Sequence, residues 1–90
     1  MVKPEVYGLF LRVRLYGILK DIVGPEVKIG TDKPLTVREL LALLNDMSGG
    51  GLGEWLDKVR VAVNGEVVES DEAIIRPGDD VALLPPSAGG

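Results

Sequence analysis

The chain has 90 residues, 46% of them hydrophobic, with 10 basic and 14 acidic side chains and a net charge of −4. That length carries one small domain with a single core and excludes two, and the acidic balance lacks the basic footprint a phosphate backbone requires, so no nucleic-acid partner is expected. With no cysteine and no histidine, disulfides, thiol nucleophiles, imidazole bases and soft-ligand metal sites are excluded as well.

Residues 1–8 are expected to form an N-terminal extension. The apolar run that emerges from it, VYGLFLRVRLYGILK, is broken by Arg12, Arg14 and Lys20 well short of a membrane span, so no membrane partner is expected and the location expected is cytoplasmic. Within that run, LFLRVRLY at 9–16 sets Leu9, Leu11, Val13 and Leu15 on one face and Phe10, Arg12, Arg14 and Tyr16 on the other, the period of a half-buried strand. After Gly17, the spacing of Ile18, Leu19, Ile22 and Val23 predicts a short helical turn stopped by Gly24 and Pro25. EVKI at 26–29 reads as a second, shorter strand able to pair with the first.

A helix is predicted from Thr36. Thr36 and Glu39 have the spacing of a capping box, and Leu35 and Leu40 that of a hydrophobic staple. Val37, Leu40, Leu41 and Leu44, with Met47 continuing the stripe, face a sheet, while Arg38, Glu39 and Asp46 face water. Glycines 49–51 end it. The glycine-rich SGGGLGE at 48–54 lacks the Gly-Lys-Ser/Thr ending of a phosphate loop and follows a helix instead of a strand, so a helix stop and flexible loop are expected there, with Trp55 as a partly buried anchor.

In VRVAVNGEVVE at 59–69, Val59, Val61 and Val63 point inward and Asn64-Gly65 signals a two-residue hairpin. Glu66, Glu69, Asp71 and Glu72, like Asp79-Asp80 after the turn at Pro77-Gly78, miss calcium-loop spacing and read as a solvated acidic face that can steer partners. DVALL at 80–84 is short and apolar on both faces, which suits a central strand. Only four residues are aromatic, so the core is expected to be aliphatic. Glutamine is absent and asparagine occurs only at 45 and 64, a scarcity associated with heat-adapted proteins.

The element order is β, β, α, β, β, β, an α+β domain over residues 9–84 whose first and last strands can lie side by side and parallel. The tail at 85–90 would then leave from mid-sheet. Pro85 and Pro86 cannot donate to a ladder, so pairing is expected to end there. Beyond them Ser87, Ala88, Gly89 and Gly90 narrow to a bare backbone, and fully extended the six residues reach roughly 20 Å, enough to enter a neighbour's active site.

RVRLYGILKDIVG, TVRELLALL, VAVNGEVV, PGDDVALLPP and the terminal AGG together resemble the ubiquitin-like sulfur carriers of the MoaD/ThiS type, above all the small subunit of molybdopterin synthase. The resemblance implies a β-grasp fold, a mixed sheet of about five strands on one main helix with a flexible Gly-Gly tail. It implies that an E1-like adenylyltransferase activates Gly90 with ATP, that a sulfur donor converts it to a thiocarboxylate, and that the tail enters the large subunit of molybdopterin synthase. Gly90 is then the carrier group, with Gly89 beside it. Catalytic side chains belong to the partners, and this chain binds no cofactor of its own.

By the family pattern, Tyr16, Val67 and Leu84 on the sheet face away from the helix meet the partners, followed by Pro85, Pro86, Ser87 and Ala88 of the tail. Three other readings stand beside this one: a carrier for thiazole synthesis or transfer RNA thiolation, a protein modifier conjugated through Gly90, and a non-covalent module whose tail is incidental.

Overall fold

Alternation around Arg12 and Arg14 builds β1 (Phe10–Leu15), in which Leu11, Val13 and Leu15 are buried and Arg12 is exposed. The structure is a computed structural model that describes residues 10–86. The expected N-terminal extension, Leu9, and Ser87, Ala88, Gly89 and Gly90 of the tail lie outside the described residues. Tyr16, expected on the strand, is instead the N-cap of α1 (Gly17–Val23), two turns long, which buries Leu19 completely and leaves Ile18 exposed. β2 (Glu26–Gly30) then returns antiparallel along β1, with Leu11 opposite Ile29 and Val13 opposite Val27.

β3 (Leu35–Thr36) leads directly into α2 (Val37–Met47). The capping box forms in both directions: Glu39 N–H donates to Thr36 Oγ1 at 3.1 Å, and Thr36 N–H donates to Glu39 Oε1 at 2.8 Å. Two of the orphan amides at the helix start are thereby satisfied. Val37, Leu40 and Leu44 are buried and Leu41 half-buried, whereas Arg38, Glu39 and Asp46 face water.

The stripe stops one turn earlier than its spacing suggested, because Met47 is 56% exposed. Met47 is in phase with Leu40, but the chain reverses just past it. Gly50 N–H reaches back to Asn45 O at 2.8 Å, and Leu52 N–H donates to Asn45 Oδ1 at 3.2 Å. Leu52, only 1% exposed, supplies the buried side chain at this end instead. The expected flexible loop is therefore a tethered series of turns, with Trp55 and Leu56 packed against the core.

β4 (Arg60–Val63) and β5 (Glu66–Val68) form the hairpin, and Asn64 and Gly65 take φ of 52° and 89°. These positive angles are what a two-residue turn between twisted strands requires. β6 (Ile74–Ile75) pairs with β3 in a separate two-stranded sheet that the sequence pattern did not disclose. β7 (Asp80–Leu84) completes the chain of elements.

The main sheet runs β2-β1-β7-β4-β5, with β7 parallel to β1 and antiparallel to β4. This is the mixed sheet of a β-grasp. Its inner face, with Leu11, Val13, Val81, Leu83 and Val61, packs on Leu19 of α1 and on Val37, Leu40 and Leu44 of α2. The buried side chains are all aliphatic, each contributing about 1.5–3 kcal/mol on burial. Among the described residues no polar or charged side chain is buried, and no helix is long and apolar enough to cross a membrane.

Candidate functional site

β7 lies at the middle of the sheet because it has a ladder on each side: Val81 and Leu83 oppose Val13 and Leu15 of β1 and Val63 and Val61 of β4. The two ladders pair its backbone on both edges, and its inner-face Val81 and Leu83 are buried against the helices. The ladder ends where the sequence says it must. Tyr16 N–H donates to Leu83 O at 3.3 Å, β7 stops at Leu84, and Pro85 and Pro86 have no amide hydrogen to continue it. The root of the C-terminal segment is thus fixed at the centre of the fold.

Pro85 packs on a bare stretch of backbone. Gly17, with φ of +58°, lies under its ring, and a Cβ at position 17 would sit 2.8 Å from Pro85 Cγ. No side chain fits there without displacing the proline. Pro85 and Pro86 are both half-buried, so the exit path begins as part of the folded surface.

Register places the remaining expected contact residues together on the outer face. Leu84 is cross-strand from Arg60, Ala82 from Ala62, and Ala62 in turn from Val67 on β5. Tyr16 continues the β1 register beside Leu84. Tyr16 and Val67 are 43% and 46% exposed, and Leu84 is half-buried. Ala62 and Ala82, half-buried between them, complete an apolar strip that the sequence reading missed, because alanine carries no signal of its own.

The other half of the outer face is charged. Arg14 is paired with Asp80 across β1 and β7, Arg12 Nε lies 3.5 Å from Glu26 Oε2, and Lys28 Nζ stands 5.4 Å above the Phe10 ring. The Arg14–Asp80 pair is half-buried, and the solvent-exposed Arg12–Glu26 pair contributes little to stability. These contacts gather charge along β2–β1 and at Asp80, and leave an apolar strip over Ala82, Leu84, Ala62 and Val67 beside the exit of the chain, with exposed Arg60 at its margin opposite Leu84. That division suits docking of a partner with an apolar centre and a polar rim.

The acidic residues do other work. Asp79 Oδ2 accepts from Arg76 N–H at 2.8 Å, and Asn64 Oδ1 accepts from Asp80 N–H at 2.9 Å, so this pair closes turns. Glu72 is hydrogen-bonded to Arg38, and that bond with its attendant charge raises the guanidinium pKa above its usual range. Gly89 and Gly90, the expected carrier positions, and Ser87 and Ala88 lie outside the described residues.

A family model described as the ThiS family matches residues 13–90. A protein of Archaeoglobus fulgidus described as "Putative sulfur carrier protein" is 35% identical over 75 residues, spanning 72% of this chain and 84% of that one. Among solved structures, SAMP1 of Haloferax volcanii, a small archaeal modifier protein, is 27% identical with a TM-score of 0.72, covering 90% of this chain and 99% of that chain. A chain of the complex between subunits 1 and 2 of the molybdopterin-converting factor of Helicobacter pylori is 29% identical with a TM-score of 0.64, covering 91% of this chain and 100% of that one.

Proposed function

The chain belongs to the ThiS family, and from that premise we propose that it carries sulfur for molybdopterin synthesis as a thiocarboxylate on Gly90. The observation that carries the reading is the joining of two features: a chain end rooted on the central strand by Pro85, and an apolar strip of Tyr16, Leu84, Ala82, Ala62 and Val67 beside that root. A carrier needs both, one to present the group and one to be held while it is presented.

The chemistry follows from what a chain end can offer. A terminal carboxylate is ionised at neutral pH and is a poor acyl electrophile. An E1-like partner converts it to an acyl-adenylate, with pyrophosphate leaving from ATP; a sulfur nucleophile then attacks the acyl carbon and AMP departs. The ATP site and the catalytic side chains are the partner's. This chain supplies an electrophilic carbon on a segment without bulky side chains after Pro86, and the docking strip that lowers the entropic cost of bringing that carbon into a partner's site. The likeness to a chain from a complex of two molybdopterin-converting subunits supports a second synthase subunit as the acceptor-side partner.

A second reading is favoured by the likeness to SAMP1: the activated Gly90 is transferred to lysine side chains as a protein modifier. The two differ in what they leave behind. Tagged at its N-terminus and incubated in a cell extract with ATP, a carrier runs as one small band under denaturing conditions and co-purifies under native conditions with a second synthase subunit. A modifier gives a ladder of heavier bands that survives denaturation. Ladder formation without a co-purifying subunit would overturn the molybdopterin assignment in favour of the modifier.

A further inference from the structure

On the side of the sheet opposite the docking strip, the core is not fully sealed. Between α2, the turns at 55–59 and the segment after β5 run two adjoining cavities of about 340 and 330 Å3 that share Leu41, Leu56, Asp57 and Asp71. Their apolar floor has Leu41 and Leu56 in common, and Val59 and Val68 extend it in the larger cavity; these four side chains are half-buried. Their rim carries Asp57, Glu69 and Asp71, each exposed, and none of the three has a cation within salt-bridge distance among the described residues. Arg38, the guanidinium at the rim among the described residues, is engaged by Glu72.

The walls of this groove are fixed by backbone hydrogen bonds. Val37 and Arg38 N–H donate to Ala73 O and Asp71 O, each at 2.9 Å, which ties the segment after β5 to the start of α2. Val59 N–H donates to Trp55 O at 3.0 Å and holds the opposite wall. The groove is therefore formed before anything enters it, which removes an ordering cost from binding.

Charge identifies the occupant. Among the described residues, the strands of the outer sheet face set Arg12, Arg14, Lys28 and Arg60 against Glu26 and Asp80, whereas the groove lining sets Asp57, Glu69 and Asp71 against Arg38, which Glu72 engages. The two sides thus attract opposite partners. We propose that this groove docks a cationic amphipathic segment of a partner protein, apolar side chains on Leu41, Leu56, Val59 and Val68 and lysine or arginine on Asp57, Glu69 and Asp71. Because it lies behind the sheet, the site leaves the strip of Tyr16, Val67 and Leu84 open, and the chain holds one partner there while presenting its end to another. The proposal does not depend on which acceptor receives the sulfur.

The test is a titration of the full, isotope-labelled chain with a short synthetic peptide alternating leucine and lysine, followed by amide chemical shifts. Saturable shifts centred on Leu41, Leu56, Val59, Val68 and Asp71 are expected. Asp57→Asn and Asp71→Asn should each weaken binding by about two- to fivefold, the range of an exposed ion pair. Asp32→Asn, away from the groove, should leave it unchanged, and a peptide with glutamate in place of lysine should not bind. Four results would overturn the proposal: no groove shifts up to about millimolar peptide; shifts centred on Ala62, Val67 and Leu84; equal binding of the glutamate peptide; or groove shifts that depend on protein concentration alone, which would assign the groove to a second copy of the chain.

Discussion

Val67 separates docking from folding more cleanly than any other side chain of the outer strip. It sits on the edge strand β5, opposite Ala62, and is 46% exposed in the isolated chain. Cutting Val67 to alanine removes two methyl groups' worth of contact, about 1.6 kcal/mol if fully buried. About half of that remains to be gained on docking, so Val67→Ala should cost about 0.8 kcal/mol, or about fourfold in Kd. Val67→Asp adds desolvation of a carboxylate in an apolar contact and should cost about 2 kcal/mol or more, about thirtyfold. Glu66, the preceding residue on the same strand, points to the other face, and Glu66→Ala should bind normally. The assay is titration calorimetry against the E1-like activating enzyme, with thermal unfolding of each variant run alongside. Binding of a folded Val67→Asp within about twofold of the parent, or an equal loss in Glu66→Ala, would refute the assignment of this strip as the docking surface.

Leu83 is fully buried on the central strand, so Leu83→Ala should cost about 2–5 kcal/mol and lower Tm by about 10 °C or more in calorimetry. Removing the cap of α2 with Thr36→Ala should cost about 1 kcal/mol, a fall of about 4–8 °C, with docking unchanged. Among the described residues the buried core spans Leu11 to Leu83 and pairing ends at Leu84, and Gly89→Val, or a residue added after Gly90, should leave Tm where it is while abolishing activation. A matching fall in Tm would show that the chain end belongs to the core.

The parts of the fold carried by local chemistry were legible from the residues. Thr36 and Glu39 marked the start of α2, Asn64-Gly65 marked the hairpin, and the apolar ends of the chain marked the parallel pair β1 and β7. What stayed hidden depends on contacts distant in sequence. β3 and β6 are two residues each, too short to show a period of two, and exist because Leu35 and Ile75 meet across the fold. Met47 matched the helical stripe, but Leu52 came back from the following turns to fill the core in its place. The same limit applied to the site. Tyr16, Val67 and Leu84 enter through the family resemblance, whereas Ala62 and Ala82 join them only through register, and the seat of Pro85 on Gly17 joins residues at opposite ends of the chain.

Every element of the functional reading converges on one atom group, the carboxylate of Gly90. Intact-mass spectrometry of the chain, after incubation with ATP, an E1-like adenylyltransferase and a sulfur donor, reads it directly. The expected result is a gain equal to the exchange of one oxygen for one sulfur, mapped by fragmentation to Gly90. An unchanged mass, with the same enzyme charging another carrier in a parallel reaction, would contradict sulfur carriage by this chain.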